Sequence, residues 1–132
     1  MKTLVIEWAH LDKDGRTCDR CSDTGHEIQK AVRWFKRRCS DLAVTFRERK
    51  LTGKQIRSSN SIWLNGRRIE ALLPQAKGGE SPCQSCGELI GGEVSCRTIQ
   101  RKGGVYERVS AALIKEAACR VLPCCGGGKG CN

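Results

Sequence analysis

The N-terminal third of the chain passes from an apolar run to helical spacing and back, which predicts a strand, a helix and a second strand. Residues 3–8 (TLVIEW) are apolar and rich in β-branched side chains, as in a buried strand. From Cys18 to Cys39, apolar positions recur at intervals of three, four or seven, which predicts an amphipathic helix with Thr17 as its N-cap. Residues 42–51 begin apolar and then alternate, so we expect a second strand parallel to the first.

The remaining pattern predicts two hairpins and a closing helix. A single helical turn over residues 52–59 is followed by strands at 61–64 and 67–72, which Asn65-Gly66 joins in the manner of a type I′ turn. Residues 74–94 are rich in glycine and break the pattern, which predicts a loop.

Beyond that loop, strands at 96–100 and 105–109 are expected to pair around residues 102–104. Ser110 then caps a helix that Pro123 ends. The resulting order of elements is typical of a small mixed α/β domain, and 132 residues suffice for one such domain.

The chain contains 10 cysteines, and their use depends on the compartment. The apolar N-terminal run is short and is broken by Glu7, so it resembles neither a signal peptide nor a membrane span. We therefore expect a cytoplasmic protein whose thiols bind metal or do redox work. A secreted disulfide scaffold is the alternative.

The net charge of +10 raises the question of an anionic partner. Lysine and arginine concentrate between residues 30 and 68. No strand is studded with aromatic residues of the kind that stack on bases, so a basic nucleic-acid-binding protein is only the third functional hypothesis. No membrane partner is expected.

The most specific chemical motif is Cys18-Asp19-Arg20-Cys21, which follows a strand and opens a helix. The unpaired N–H groups of a helix N-terminus favour a thiolate, so the first cysteine should be activated. The second, one turn later, can attack a mixed disulfide or share a metal ion. The alternatives are half of a zinc site or two idle thiols.

A second group consists of Cys83, Cys86 and Cys96. A CxxC pair in a glycine-flanked segment, with a third thiolate on the next strand, is typical of a structural zinc site that lacks one ligand. The fourth ligand could be Cys119, a cysteine of the tail, or an open position. A disulfide or a second redox pair is the alternative.

The C-terminal group adds Cys124, Cys125 and Cys131 to Cys119. Adjacent cysteines rarely bridge each other, so a vicinal pair on a glycine-rich tail is better suited to binding soft ions, and a flexible tail could pass an ion to or from another site. An idle, disordered end is the alternative. Cys39, on the apolar face of the first predicted helix, is interpreted as a small buried apolar side chain.

Two stretches resemble known families. CDRC after TLVIEW, together with SSNSIWLNGRRIE, resembles the thioredoxin superfamily, and IEW…HLD…CDRCSDTG resembles a bacterial and archaeal family of cysteine-rich domains with no assigned function. The resemblance implies a thioredoxin-like βαβββα core in residues 1–122, an insertion at about 74–95, and a separate Gly/Cys-rich tail at 123–132. It also implies that Cys18 attacks and Cys21 resolves.

One departure from that superfamily concerns the residues before the third strand. The superfamily has a cis-proline there, which orients substrate disulfides and keeps metals off the sulfurs, whereas this chain has residues 58–61, SSNS. The missing proline favours a pair that is open to a soft metal or metalloid.

The leading functional hypothesis is therefore a thiolate protein that binds or transfers a soft metal or metalloid ion of the Zn, Cu(I), Hg or As class. Zinc or another soft metal ion is the expected cofactor, and no organic cofactor is expected. The alternative is a thiol–disulfide oxidoreductase that uses Cys18 and Cys21 as its catalytic pair, with a partner protein thiol or disulfide as substrate. His10, in the predicted loop before Cys18, is a candidate base or ligand, or a solvated side chain.

Overall fold

The computed structural model describes residues 2–12, 19–39, 41–52, 60–82, 91, 95–102, 104–106 and 108–122. Within these residues the mixed α/β class predicted from the sequence is confirmed. The expected N-cap Thr17, residues 53–59 of the expected helical turn and the tail at 123–132 lie outside the described residues.

The first sheet is built around a central strand. Its members are β1 (Lys2–Leu11), β2 (Leu42–Leu51), β3 (Ser61–Leu64) and β4 (Arg67–Arg68), in the order β2-β1-β3-β4. β2 runs parallel to β1, as predicted, because the helix α1 (Asp19–Arg38) connects them. β3 runs antiparallel to β1, with Glu7 opposite Trp63.

The turn between β3 and β4 has the predicted geometry. Asn65 and Gly66 both have positive φ, 50° and 82°, as a type I′ turn requires. The prediction of one strand over 67–72 was wrong, because only Arg67–Arg68 pair with β3. The chain then forms the short helix α2 (Ile69–Leu72), which buries Ile69 and Leu72 in the core.

A second, antiparallel sheet follows, with β6 at its centre. It contains β5 (Ala76–Pro82), β6 (Ser95–Arg101) and β7 (Gly104–Tyr106). The prediction of a loop from residue 74 was therefore wrong for β5. Gly78 and Gly79 suggested a loop, but their missing side chains leave room for those of Arg97 and Gln100.

The closing helix α3 (Ala111–Val121) is capped as predicted, since the Ser110 hydroxyl accepts a hydrogen bond from the Leu113 amide at 3.2 Å. The helix packs beside α1. One continuous core joins the inner faces of both helices to the first sheet and includes Leu4, Ile6, Phe35 and Ile114. Among the helices described, none is both long and apolar enough to cross a membrane.

Candidate functional site

The connection between β1 and α1 places the first cysteine pair. β1 ends at Leu11 and α1 begins at Asp19, so Cys18 directly precedes the helix and Cys21 lies in its first turn. The strand–helix context predicted for the pair is thus present. Cys18, together with the side chain of Cys21, lies outside the described part of the structure, so the positions of both sulfurs stay predictions.

His10 is buried in β1, and its interpretation as a residue of the loop was wrong. Its side chain is 1% exposed, and its Nδ1 lies 3.1 Å from the carbonyl oxygen of Leu11 while its Nε2 contacts the Glu48 carboxylate. Both ring nitrogens are therefore engaged, and His10 can act as a base or metal ligand only if one of these contacts breaks.

Trp8 links His10 to the start of β3. The two rings stack with their centroids 3.9 Å apart, and the indole Nε1 donates a hydrogen bond to the Asn60 side-chain oxygen at 3.3 Å. Asn60 is 5% exposed and has a φ of 67°. It therefore takes the left-handed conformation, which asparagine tolerates better than most residues. Asn60 stands immediately before β3, within the segment where the sequence lacks a proline.

Gly25 permits the close approach of α1 to this group. A Cβ atom at Gly25 would lie 2.8 Å from Cη2 of Trp8, a separation that real Cβ contacts do not show. Gly25 weakens the helix prediction, because glycine costs about 1 kcal/mol in a helix interior. The packing of Trp8 supplies the reason for this glycine.

Two side chains of α1 hold the N-terminal end of α3. The Thr24 hydroxyl accepts from the Val109 amide at 3.2 Å, and the Glu27 carboxylate accepts from the Ala111 amide at 3.1 Å. Hydrogen bonds from Lys30 and then from the Ala111 amide lower the pKa of Glu27. The negative carboxylate also stands at the positive end of the α3 dipole, which stabilises this arrangement.

α1 and α3 run in parallel, so the end of α3, from which the tail continues, lies far from the start of α1. Ala111 contacts Glu27, and further along both helices the Lys115 ammonium lies 4.7 Å from the centre of the Trp34 ring. From the start of α1 to Glu27 is about 12 Å, and α3 adds about 16 Å. The tail therefore leaves α3 about 25 Å or more from the start of α1.

This distance limits which tail cysteines can reach the pair at residues 18 and 21. A fully extended chain covers at most about 3.6 Å per residue, so Cys125 can lie no more than about 14 Å beyond Val121. Cys131 could cover about 36 Å, which exceeds the distance of about 25 Å. The vicinal pair, Cys124 and Cys125, could approach an ion at Cys18 and Cys21 only at the limit of its reach, with an extended backbone and with the side chains of both pairs directed toward the ion.

Two described cysteines lie toward that far end of the helices. Cys39, which follows α1, is 2% exposed, so its predicted burial is confirmed. Its interpretation as a small apolar side chain was wrong, because it takes part in a disulfide bond. The partner of that bond lies outside the described side chains. Cys119 is partly buried in the last turns of α3.

The second thiol group adjoins the paired end of β5 and β6 in sequence. Pro82 pairs with Ser95, and Ser81 pairs with Cys96, so Cys83 is the next residue along the chain after the paired end. Cys83, Cys86 and the side chain of Cys96 lie outside the described part. The backbone brings Cys96 to the end of the hairpin from which the CxxC segment starts.

Cys119 is a poor candidate for the fourth ligand of this group. Arg101 contacts Glu116 of α3 at 2.7 Å, and it lies five residues, or about 17 Å, along β6 from Cys96. α3 therefore meets β6 at the end of the strand opposite to Cys96. In the described residues, no three His, Cys, Asp or Glu side chains form a cluster suited to a metal ion.

The fold and its cysteines define a mixed α/β protein with a CxxC pair at a strand–helix junction. A family model described as "Domain of unknown function (DUF2703)" matches residues 4–118, and the chain belongs to this family. An archaeal relative from Archaeoglobus fulgidus, called "Uncharacterized protein", is 38% identical over 117 residues, which cover 84% of this chain and 82% of that protein. No solved structure matches significantly. The expected membership of a family without an assigned function is thus confirmed.

Proposed function

We propose that Cys18 and Cys21 bind a soft metal or metalloid ion. The observation that carries the proposal is the β1–α1 junction, which sets both residues at the start of a 20-residue helix. A helix N-terminus stabilises thiolates, and thiolates are the ligands that Zn(II), Cu(I), Hg(II) and As(III) prefer. The succession of β1, α1, β2, β3, β4 and a closing helix supports a thioredoxin-like core for this site.

Asn60 supports metal binding over general disulfide reduction. It precedes β3, which pairs with β1 through Ser61 and Ala9 near the end of β1 that leads to the cysteines. In the superfamily that the sequence resembles, a cis-proline in this segment keeps metals off the sulfurs. Here the residue is an asparagine whose side chain is turned to Trp8.

The other cysteines form separate sites in this proposal. Cys83, Cys86 and Cys96 hold a structural zinc ion at the end of the β5–β6 hairpin, with a tail cysteine or an open position as the fourth ligand. Cys119, Cys124, Cys125 and Cys131 bind soft ions at the far end of α3. One cysteine among these groups is bonded to Cys39 and is released as a ligand only when that disulfide is reduced.

A thiol–disulfide oxidoreductase is the second candidate, because the same junction would activate Cys18 as a nucleophile. In that mechanism the Cys18 thiolate attacks a substrate disulfide and releases one substrate thiolate. Cys21 then attacks the mixed disulfide, which leaves Cys18–Cys21 oxidised and the substrate reduced.

Native and denatured masses of reduced protein, loaded with zinc or arsenite, test the first proposal. The wild type should carry an ion that is lost on denaturation, and Cys18→Ser or Cys21→Ser should remove one ion. Ser22→Ala is the matched control, since it changes the side chain next to Cys21 in α1 without removing a thiol and should leave every ion in place.

The same variants separate the two candidate functions. If Cys18→Ser and Cys21→Ser retain every ion, the metal site at residues 18 and 21 is refuted. A Cys21→Ser protein that accumulates mixed disulfides with a model disulfide substrate supports the oxidoreductase instead. Absence of any such adduct argues against it.

A further inference from the structure

The two faces of the first sheet differ in what covers them. α1 packs on the face of β1 that carries Leu4, Ile6 and Trp8, where Gly25 meets the indole. The intervening residues of each strand direct their side chains to the opposite face. On that face, the side chains near the N-terminal half of β1 are exposed or partly exposed. We call this surface the open face, and its residues are Val5, Glu7, Thr45, Arg47, Arg49, Trp63 and Arg68.

The register aligns four of these residues in one row. Arg47 pairs with Glu7, Glu7 with Trp63, and Trp63 with Arg68, so the row crosses all four strands. Neighbouring strands are about 4.8 Å apart, which gives the row a length of about 14 Å. Ala9 and Ser61, further toward the cysteine pair, are buried and mark one limit of the open face.

Trp63 lies at the centre of a cluster of guanidinium groups. The Arg49 and Arg68 guanidinium carbons lie 5.4 and 4.9 Å from the centre of its ring. Arg49 also pairs with Glu7. Both arginines remain substantially exposed, 58% and 43%, so their outward N–H groups can reach a ligand.

Positive charges outnumber negative charges on this surface. Glu70, at its edge, lies 3.7 Å from Arg68 and 3.2 Å from Arg97. Four guanidinium groups, those of Arg47, Arg49, Arg68 and Arg97, therefore face the two carboxylates of Glu7 and Glu70. The excess has the same sign as the net charge of +10 of the whole chain.

We propose that the open face binds single-stranded nucleic acid, with the arginines on phosphates and Trp63 against a base. Exposed cations and an aromatic ring on one sheet surface are the two elements that single-strand binding combines, since guanidinium groups neutralise the backbone and bases stack on indole rings. An acidic peptide would use the charges alone and would leave Trp63 without a role. The fold brings Trp63 beside two arginines that are distant in sequence, an arrangement that the linear sequence does not show.

The test is fluorescence anisotropy with a labelled oligothymidylate of about 12 nucleotides, a length within the usual range of single-strand sites. The triple variant R47Q/R49Q/R68Q removes three charges from the open face. The matched control, R33Q/K36Q/R37Q, removes three charges from the exposed side of α1. Thermal unfolding of both variants confirms that they are folded.

Binding should weaken between about 50 and 200 mM salt, and the open-face variant should flatten the slope of log K against log salt by about 0.7 for each phosphate that it no longer neutralises. The α1 variant should keep most of the affinity. Trp63→Ala should reduce the affinity about five- to 150-fold, and Trp63→Phe should restore part of it.

Three results would overturn the proposal. They are failure of the wild type to bind the oligonucleotide, equal reductions in affinity for the two triple variants, and unchanged affinity in Trp63→Ala. A labelled polyglutamate peptide of similar charge serves as the comparison. If it binds as tightly as the oligonucleotide and its affinity does not depend on Trp63, the partner is an acidic protein segment and not a nucleic acid.

Discussion

Replacing Gly25 with alanine sets helix propensity against the packing of Trp8. Gly25 lies inside α1, where alanine is favoured over glycine by about 1 kcal/mol. An added Cβ would lie 2.8 Å from Cη2 and 3.1 Å from Cζ3 of Trp8. Trp8 cannot move aside easily, because its ring is 6% exposed, stacks on His10 and donates to Asn60.

The expected change in stability follows from the gain in helix propensity and the cost of steric overlap with Trp8. Overpacking a dense core costs about 1–3 kcal/mol, which equals or exceeds the gain in propensity. Gly25→Ala should therefore lower the free energy of unfolding by about 0–2 kcal/mol. Urea denaturation followed by circular dichroism measures this directly.

A double-mutant cycle isolates the contact. Trp8→Phe removes the far edge of the indole, including Cη2, and so provides the space that a Cβ at Gly25 needs. In that background Gly25→Ala should stabilise the protein by up to about 1 kcal/mol, so the coupling energy should be about 1–3 kcal/mol. If Gly25→Ala stabilises the wild type and the Trp8→Phe variant equally, the steric explanation of this glycine is wrong.

Three further outcomes are expected. Glu48→Ala should cost about 1–3 kcal/mol in urea denaturation because it leaves Nε2 of buried His10 without its partner, whereas the amide of Glu48→Gln can donate to that nitrogen and should cost less. The Arg101 hydrogen bond lowers the pKa of Glu116 in the folded state. The ion pair therefore adds to the free energy of unfolding at pH values above the pKa that Glu116 has in the unfolded chain, and this stabilisation is lost as the pH falls through the pKa in the folded state. Glu116→Gln should thus lower the urea midpoint at neutral pH and approach the wild type as the pH falls through the pKa of Glu116 in the folded state. Peptide mapping without reductant should find Cys39 bonded to a cysteine other than the pair that opens α1, since the helix holds that pair about 27 Å away, far beyond the Cα separation of a disulfide.

The elements that the sequence predicted well are those that local chemistry determines. Asn65-Gly66 specifies its own turn, and Ser110 caps α3 with its own hydroxyl. The strand over 67–72 was wrong because α2 forms where Ile69 and Leu72 can enter the core, a long-range effect that the local pattern does not contain. β5 was missed for a similar reason, because the side chains of Arg97 and Gln100 in β6, which lie over Gly78 and Gly79, are not visible in the local pattern.

The surroundings of the cysteine pair were less predictable than the pair itself. The CxxC is visible in four consecutive residues, but His10 and Glu48 are 38 positions apart, and Trp8 and Asn60 are 52 apart. Only the parallel register of β1 with β2 and the placement of β3 bring these side chains together. The apolar pattern shows that Trp8 is buried, whereas it cannot show that an asparagine from another segment accepts its N–H.

The parallel packing of α1 and α3 also bears on how the cysteines can work together. Transfer of an ion from Cys18 and Cys21 to the vicinal pair on the tail would require Cys124 and Cys125 to approach within bonding distance of the same ion. The helices keep the start of the tail about 25 Å from that point, and the chain from Val121 to Cys125 covers only about 14 Å. Direct transfer within one molecule is therefore better suited to Cys131, which can lie up to about 36 Å beyond Val121. Exchange of the ion with a second molecule is the other route, because the vicinal pair stands at the limit of its reach.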